Sequence, residues 1–253
     1  MFASLSSLGG FMKLIFIRHG DPDYANDCLT EKGRREAELL SKKIRGMKID
    51  KCFLSPLGRA QQTAHACIDG TGTVPVTFDW LREFSPLISR PDLPDAKSIC
   101  WDWMPADWTR CSELYDYDKW QENPVFKNSD AAKEFNHVHE EFGKLLASLG
   151  YIKEGNYFRA ENPNNGTIVF FCHFGIEMVM LSYLLHLPIM PLWQGFLAPT
   201  SSITTVVTEE RQPQRAAFRI ISFGDVSHLD AGNEPVSFSG RFCECYTNEN
   251  ERH

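Results

Sequence analysis

The fold is decided at residues 14–20, whose sequence is LIFIRHG. Four consecutive apolar residues predict a buried strand, which ends at Arg18, His19 and Gly20. Open α/β sheets bind their ligands at the carboxyl edge of the strands. A histidine there can act as a nucleophile, and a planar guanidinium matches the geometry of phosphate oxygens. The stretch therefore indicates an anion site at a sheet edge.

Strand and helix patterns alternate along the rest of the chain. The predicted strands are 13–17, 51–54, 76–78, 167–172, 203–208 and 217–223, and residues 151–165 suggest an exposed hairpin or loop. Helices are predicted after Thr30, over 59–68, around 135–149 and over 176–187. This order predicts an α/β fold, a mostly parallel sheet with helices on both faces in a three-layer sandwich. Residues 209–215 are too few for a crossover helix, so one strand of the closing pair is expected to be antiparallel.

A single domain is expected over residues 12–230, interrupted by an insertion at about 84–130. The insertion holds five prolines and four tryptophans. Prolines at this density prevent long helices and central strands, so short elements held by aromatic burial are expected there. Residues 1–11 are expected to form an N-terminal tail, and residues 231–253 a polar C-terminal tail.

Composition indicates the cellular compartment and excludes some classes of binding partner. The 253 residues carry a net charge of −7, which argues against binding of nucleic acid or of an anionic membrane surface. No stretch approaches the roughly 20 apolar residues of a membrane span. The eight cysteines are scattered, which favours free thiols in a reducing cytoplasm. Cys243 and Cys245 lack the second pair that a zinc site needs, so no metal is expected.

Two further strand ends carry groups of the same kind as the first. CHFG at residues 172–175 follows a buried strand, so His173 can converge with His19 over one crevice. A helix that begins there adds backbone N–H groups and its positive end to an anion site. SPLGRA at residues 55–60 follows another strand, and Arg59 at the start of its helix is placed to clamp phosphate oxygens.

A carboxylic acid follows the strand predicted at residues 76–78. Glu83, in LRE at residues 81–83, can protonate the oxygen of a leaving group. Asp21 and Asp23 are the rival acids, because they stand close in sequence to the histidine of the first motif.

The four motifs, in this order, resemble the histidine phosphatase superfamily, also called phosphoglycerate mutase-like, over about residues 12–225. The resemblance implies that His19 attacks phosphorus and becomes a phosphohistidine. It implies that the phosphoryl oxygens are held, and their charge stabilised, by Arg18, Arg59 and His173.

The departures from the family pattern indicate one branch. Pro22 stands where the acid phosphatase and phytase branch carries an arginine, and Phe174 stands where that branch carries an aspartate. The match is therefore to the mutase and phosphatase branch, which implies Glu83 as the general acid and then as the base for water. Asn26 takes the place of an asparagine that helps to bind phosphate in that branch. No metal or other cofactor is implied.

The resemblance predicts a phosphomonoesterase that acts on a small phosphorylated metabolite. A phosphoglycerate-type mutase is an alternative, but such a mutase needs a cationic lid for its doubly charged acid. Residues 84–130 contain five basic and nine acidic residues, and this balance opposes binding of such an acid. A silent phosphate-binding protein on the same fold is the alternative outside enzymes. The sequence names neither the substrate nor the oligomeric state.

Overall fold

A computed structural model describes residues 11–239 and 247–248 of the chain. The strands, in chain order, are β1 (Lys13–Arg18), β2 (Pro22–Asp23), β3 (Cys28–Leu29), β4 (Lys51–Leu54), β5 (Pro75–Thr77), β6 (Leu87–Arg90), β7 (Leu93–Ile99), β8 (Tyr151–Glu154), β9 (Tyr157–Ala160), β10 (Thr167–Cys172), β11 (Ile203–Gln212) and β12 (Arg215–Asp225). The helices are α1 (Glu31–Ile44), α2 (Gly58–Ile68), α3 (Pro105–Trp108), α4 (Pro124–Lys127), α5 (Ala131–Ser148), α6 (Phe174–Leu185), α7 (Ile189–Gly195) and α8 (Ser227–Ala231).

The main sheet has the strand order β5-β4-β10-β1-β11-β12-β9-β8. The first four strands pair in parallel, and every later pair is antiparallel. Among the described residues, six of the eight strands therefore point the same way, and β11 and β9 run against them. The predicted α/β class is confirmed, and β11 is the antiparallel strand expected in the closing pair.

The second reversed strand comes from the hairpin β8–β9, which adds itself to the sheet edge. The sequence predicted this hairpin as exposed, and that expectation is wrong for its inward face. Tyr151, Phe158 and Ala160 are buried, and the Phe158 ring meets the Phe218 ring edge-on at 4.7 Å. Period-2 alternation in four-residue strands is too short to reveal which face the sheet covers.

Strand β1 divides the core between the two faces of the sheet. Leu14 and Phe16 pack with α5, α6 and the insertion, whereas Ile15 and Ile17 pack with α1 and α2. Successive side chains of a strand point to opposite faces, so a strand buried on both sides reads as a continuous apolar run. This arrangement confirms the prediction of helices on both faces.

Helix α1 begins where the sequence predicted it. The Thr30 side chain accepts a hydrogen bond from the backbone N–H of Gly33 at 3.0 Å, which caps the first turn. The buried face carries Ala37, Leu40 and Ile44 at helical spacing, together with one charged residue, Glu36.

The insertion is a hairpin, β6–β7, followed by short helical turns. Trp103 stacks on Phe126 at 5.6 Å, and Trp120 meets Phe126 at 5.0 Å and Phe135 of α5 at 4.8 Å. Aromatic burial therefore joins the insertion to the core beside α5.

The segment after α8 lies against the start of α1. Glu234 pairs with Lys32 at 2.7 Å and with Arg35 at 2.8 Å, and the Ser237 hydroxyl donates to the Asp21 carboxylate. Cys243 and Cys245 fall outside the described residues, as does nearly all of the expected N-terminal tail. Within the described part of the chain, no helix is long and apolar enough to cross a bilayer.

Candidate active site

The ends of two adjacent parallel strands bring two imidazoles together. β1 and β10 pair in register with Arg18 opposite Cys172, so the next residues, His19 and His173, emerge side by side. Their ring centroids lie 5.0 Å apart at an interplanar angle of 56°, and both side chains are buried. The topology thus produces the convergence that the sequence predicted.

The backbone of the RHG motif is fixed by four different parts of the fold. Its successive N–H groups, from Arg18 to Asp21, donate to the Ser202 carbonyl (3.1 Å), the Cys172 carbonyl (3.1 Å), the Thr63 hydroxyl (3.0 Å) and the Glu36 carboxylate (2.9 Å). Gly20 must be glycine for steric reasons, since a β-carbon there would lie 2.7 Å from the Gly33 carbonyl oxygen. The loop is therefore held in one position before any ligand arrives.

One ring nitrogen of His19 is committed and the other is left basic. Nδ1 lies 2.7 Å from the Gly20 carbonyl oxygen, and a carbonyl can only accept, so Nδ1 carries the proton. Nε2 then holds the lone pair. Burial, with the nearby Arg18 and Arg59 guanidinium groups, holds the pKa of His19 well below its ordinary value. At neutral pH the ring is therefore uncharged.

His173 is oriented by a serine of the SPLGRA motif. Its Nε2 lies 2.7 Å from the Ser55 hydroxyl, which also accepts the Leu57 N–H at 3.2 Å. Burial, then the His19 ring, then the two arginines lower the pKa of His173 well below its ordinary value. Ser55 is the first residue of the SPLGRA motif, and the sequence pattern predicted no role for it.

The two arginines that act on the histidines are held by different parts of the fold. Arg18 is buried, donates from Nη1 to the Ala198 carbonyl at 2.6 Å, and lies 5.9 Å from the centre of the Phe174 ring. Arg59 is also buried, and its Nη1 lies 2.6 Å from the Asp27 carboxylate. Buried guanidinium groups with donors in a fixed fork suit a tetrahedral oxyanion.

The turn between β2 and β3 supplies Asp27, which sequence reasoning missed. Asp27 has a positive φ of 48° and also accepts the Gly58 N–H at 2.7 Å, so it ties this turn to the start of α2. Asn26 next to it is exposed, and its amide donates to Asp23 at 2.8 Å within the same turn. No sequence pattern distinguishes which of these neighbours faces Arg59.

Glu83 is a buried carboxyl group whose pKa responds to both arginines of the site. Its Oε1 accepts the Phe84 N–H at 2.8 Å and the Ile176 N–H, in the first turn of α6, at 3.3 Å. Burial raises the pKa of Glu83, and the positive charges of Arg18 and Arg59 oppose that shift. A carboxyl group with a raised pKa can donate a proton near neutral pH.

The rival acids are occupied elsewhere. The Asp21 carboxylate accepts the Thr30 hydroxyl at 2.5 Å and the Ser237 hydroxyl as well. The Asp23 carboxylate accepts from Asn26, which lowers its pKa, so it favours the ionised form. Glu83 is therefore the strongest candidate for a proton donor among the three carboxyl groups.

The insertion lies against the site at Gly175. A β-carbon there would lie 2.8 Å from Glu83 Oε1, 2.8 Å from Trp101 Nε1 and 3.0 Å from the Phe84 carbonyl oxygen. Only glycine leaves room for both side chains on the first turn of α6. Trp101 is partly exposed, unlike the three other insertion tryptophans, which are buried.

Two buried acids support the site, and the sequence carried a signal for both. Glu36 interrupts the apolar face of α1; it accepts the Asp21 N–H and the Thr200 hydroxyl (3.1 Å), and burial raises its pKa to about 7. Glu177 interrupts the otherwise apolar α6, and burial raises its pKa to about 7 as well. A lone charged residue in an apolar pattern marks a buried polar contact.

Comparison with known proteins identifies the family and the fold. The model of the histidine phosphatase superfamily (branch 1) matches residues 14–220. A probable phosphoglycerate mutase of Yersinia pestis is 32% identical over 83 residues, which are 29% of this chain and 39% of the relative. The curated relative is therefore matched over well under half of its length.

Solved structures share the fold over most of the chain. A mycobacterial glucosyl-3-phosphoglycerate phosphatase aligns with a TM-score of 0.55 at 19% identity, covering 85% of this chain and 99% of its own. A phosphoserine phosphatase from Entamoeba histolytica aligns with a TM-score of 0.53 at 20% identity, covering 86% and 99%. At such identities the likeness establishes the fold. With the family model matching from β1 into β12, the chain belongs to the histidine phosphatase superfamily.

Proposed function

We propose that this protein is a phosphomonoesterase that works without a metal, through a phosphohistidine on His19. The observation that carries the proposal is the neutral His19 ring, with Nε2 free to attack, beside two buried arginines and a second imidazole. Phosphoryl transfer needs little beyond positioning and stabilisation of charge on the phosphoryl oxygens.

In the first half-reaction, His19 Nε2 forms a bond to phosphorus as the bond to the leaving oxygen breaks. Arg18, Arg59 and His173 bind the phosphoryl oxygens and stabilise their charge in the transition state. Glu83 gives its proton to the leaving oxygen, so an alcohol departs and the carboxylate remains.

In the second half-reaction, water attacks the phosphorus of the phosphohistidine. The Glu83 carboxylate takes a proton from that water, and the bond between phosphorus and Nε2 breaks. Inorganic phosphate is released, the His19 lone pair is restored, and Glu83 is again protonated. Retention of Nδ1–H by the Gly20 carbonyl keeps the same nitrogen in use throughout.

Charge at the site favours hydrolysis over mutase activity. The buried Arg90 of the insertion is paired with both Asp92 and Asp102. A phosphoglycerate-type mutase must bind a second anionic group beside the phosphoryl group, and this paired cation offers little attraction for it.

The direct test is hydrolysis of para-nitrophenyl phosphate in the presence of EDTA. Wild-type protein should release nitrophenol, and H19A should lose about 10³-fold or more, because the nucleophile is gone. H65A is the matched control, since His65 is an exposed histidine on α2, and it should keep the wild-type rate.

Four results would contradict the proposal. Activity that persists in H19A would show that His19 is not the nucleophile. Activity that EDTA abolishes would show that the reaction needs a metal. Binding of phosphate with no turnover of a panel of phosphomonoesters would favour the silent phosphate-binding protein. Interconversion of phosphoglycerates that depends on a bisphosphorylated primer would favour the mutase.

A further inference from the structure

Trp101 is held by contacts on several sides next to Gly175 and Glu83. Its Nε1 donates to the Phe84 carbonyl at 2.9 Å, and its own carbonyl accepts the Gln194 amide at 2.5 Å. Its ring meets the Phe174 ring edge-on, with centroids 5.7 Å apart at 83°. Contacts with three elements of the chain thus fix an aromatic side chain that stays partly exposed.

The indole lies beside the proposed proton donor. Trp101 Nε1 and Glu83 Oε1 lie at the same distance, 2.8 Å, from the position of a β-carbon on Gly175. The leaving oxygen must reach the Glu83 carboxyl group to be protonated. The carbon skeleton attached to that oxygen is therefore brought against the Trp101 side chain.

The charged cluster of the hairpin next to Trp101 offers no unpaired cation to an anionic leaving group. Arg90 is the buried cation of the hairpin next to Trp101, and it lies between Asp92 at 2.5 Å and Asp102 at 3.0 Å. One guanidinium and two carboxylates give this cluster a net charge of −1 at neutral pH. Carboxylate-bearing skeletons would approach it at an electrostatic disadvantage.

We propose that Trp101 is the specificity-determining wall of the leaving-group site, and that it selects phosphomonoesters with a flat, uncharged, aromatic leaving group. The proposal rests on the phosphatase function argued above. Offset or edge-on contact of an aryl ring with the indole adds to the apolar area buried, whereas a small polyol gains little from it.

Two substrates separate the wall from a mere support for Glu83. The variants W101A and W101L are assayed with 1-naphthyl phosphate and with glycerol phosphate, and kcat and KM are measured for each. Loss of an aromatic wall should reduce kcat/KM about tenfold for the naphthyl ester and less than twofold for glycerol phosphate. W101L fills most of the volume without a planar face, so it should resemble W101A in selectivity.

If the Trp101 substitutions acted only by displacing Glu83, the two substrates would lose activity in the opposite order. An alkoxide leaves poorly without a proton, so glycerol phosphate would then lose more kcat than the naphthyl ester. That order, or equal losses for both substrates in both variants, overturns the proposal. M104A, at an exposed residue three positions along, should change neither substrate. If H19A keeps the wild-type activity, the proposed phosphatase function is wrong. If H19A loses activity but the Trp101 variants keep the wild-type substrate selectivity, only the role proposed for Trp101 is wrong.

Discussion

The strand-end frame, formed by the residues that follow β1, β4 and β10, and the insertion build the same site in different ways. The frame places His19 and His173 through parallel pairing of β1 with β10, and backbone hydrogen bonds fix the RHG loop. The insertion has a two-stranded hairpin and short turns. The Arg90 ion pairs hold the hairpin together, and aromatic packing joins the insertion to α5. One region is defined by hydrogen-bond geometry and the other by the shapes of large side chains.

This difference separates two tasks. The frame holds every group proposed to touch the phosphoryl oxygens, and strand register leaves those groups little freedom. The insertion contributes what the rest of the substrate meets, and packed aromatic side chains can change without disturbing the sheet. Glu83 lies at the boundary, since its Oε1 accepts from α6 while Phe84 leads into the insertion.

The largest effect is expected from Glu83→Gln, which removes the proton at that boundary. Glutamine keeps an acceptor for the Phe84 and Ile176 N–H groups, so the fold should be retained. For glycerol phosphate, kcat should fall about 10²–10⁴-fold, the usual contribution of a general acid. For para-nitrophenyl phosphate the loss in kcat/KM, which reports formation of the phosphohistidine, should be much smaller, because nitrophenolate departs without a proton.

The pH profile checks the same assignment. Since Glu83 must be protonated to donate, wild-type activity should fall as pH rises through its raised pKa, and E83Q should lose that basic limb. The acidic limb, where His19 gains a proton, should lie below the ordinary histidine range. Equal losses for both substrates with an unchanged profile would assign the proton donor elsewhere.

A smaller effect is expected from Gly175→Ala, which pushes the frame against the insertion. The new β-carbon would lie 2.8 Å from both Glu83 Oε1 and Trp101 Nε1, so both groups must shift. Misplacement of a catalytic group by about 1 Å can reduce the rate on the order of 10²-fold. We expect kcat to fall about 10- to 100-fold, with a larger loss for poor leaving groups.

Gly195→Ala is the matched control for that substitution. Gly195 ends α7, and a β-carbon there would meet no atom within 4 Å. Its kinetic constants should stay within twofold of wild type. If the two alanine variants behave alike, close packing at Gly175 does not position the acid.

The frame was largely predictable from the sequence, and the insertion was not. Strands at 51–54 and 167–172 match β4 and β10 residue for residue, because each is an apolar run between polar turns. In the insertion, the four tryptophans have no periodicity that distinguishes Trp101 from its buried neighbours. Which tryptophan faces the site depends on tertiary packing alone.

The residues of the site also divide into those that the sequence predicted and those that it did not. The motifs indicated the residues that follow strand ends, because the carboxyl edge of a parallel sheet collects them. Asp27 could not be predicted, since its contact with Arg59 depends on a left-handed residue in a four-residue turn. Glu36 could have been found, because it lies on the apolar face of α1.

Stability should respond to Glu36→Gln, which tests the frame without touching the insertion. Burial raises the pKa of Glu36 to about 7, so the folded state holds this proton more tightly than the unfolded chain. Folding stability from this group is then fully present below the unfolded pKa and is lost as pH rises through 7. Glutamine cannot ionise and can still accept the Asp21 N–H, so it should remove that dependence.

Denaturant unfolding at two pH values measures the effect. At pH 8, E36Q should be more stable than wild type by about 1–3 kcal/mol, and near pH 5 the difference should shrink towards zero. E36A is the contrast, because it leaves the buried Asp21 N–H without an acceptor and should be destabilised by about 1–3 kcal/mol at either pH. A difference between E36Q and wild type that does not change with pH would show that Glu36 does not titrate in this range.

The smallest effect is expected at Asn26, which the family resemblance implies as a phosphate ligand. Its amide is exposed and bonded to Asp23, whereas its neighbour Asp27 reaches Arg59. N26A should therefore change kcat and KM for para-nitrophenyl phosphate by less than about twofold, since surface substitutions without buried contacts have small effects. D27A removes the partner of Arg59 and should shift KM more than N26A does. The reverse order, with N26A raising KM severalfold, would mean that the turn rearranges when phosphate binds and that Asn26 joins the frame only in the complex.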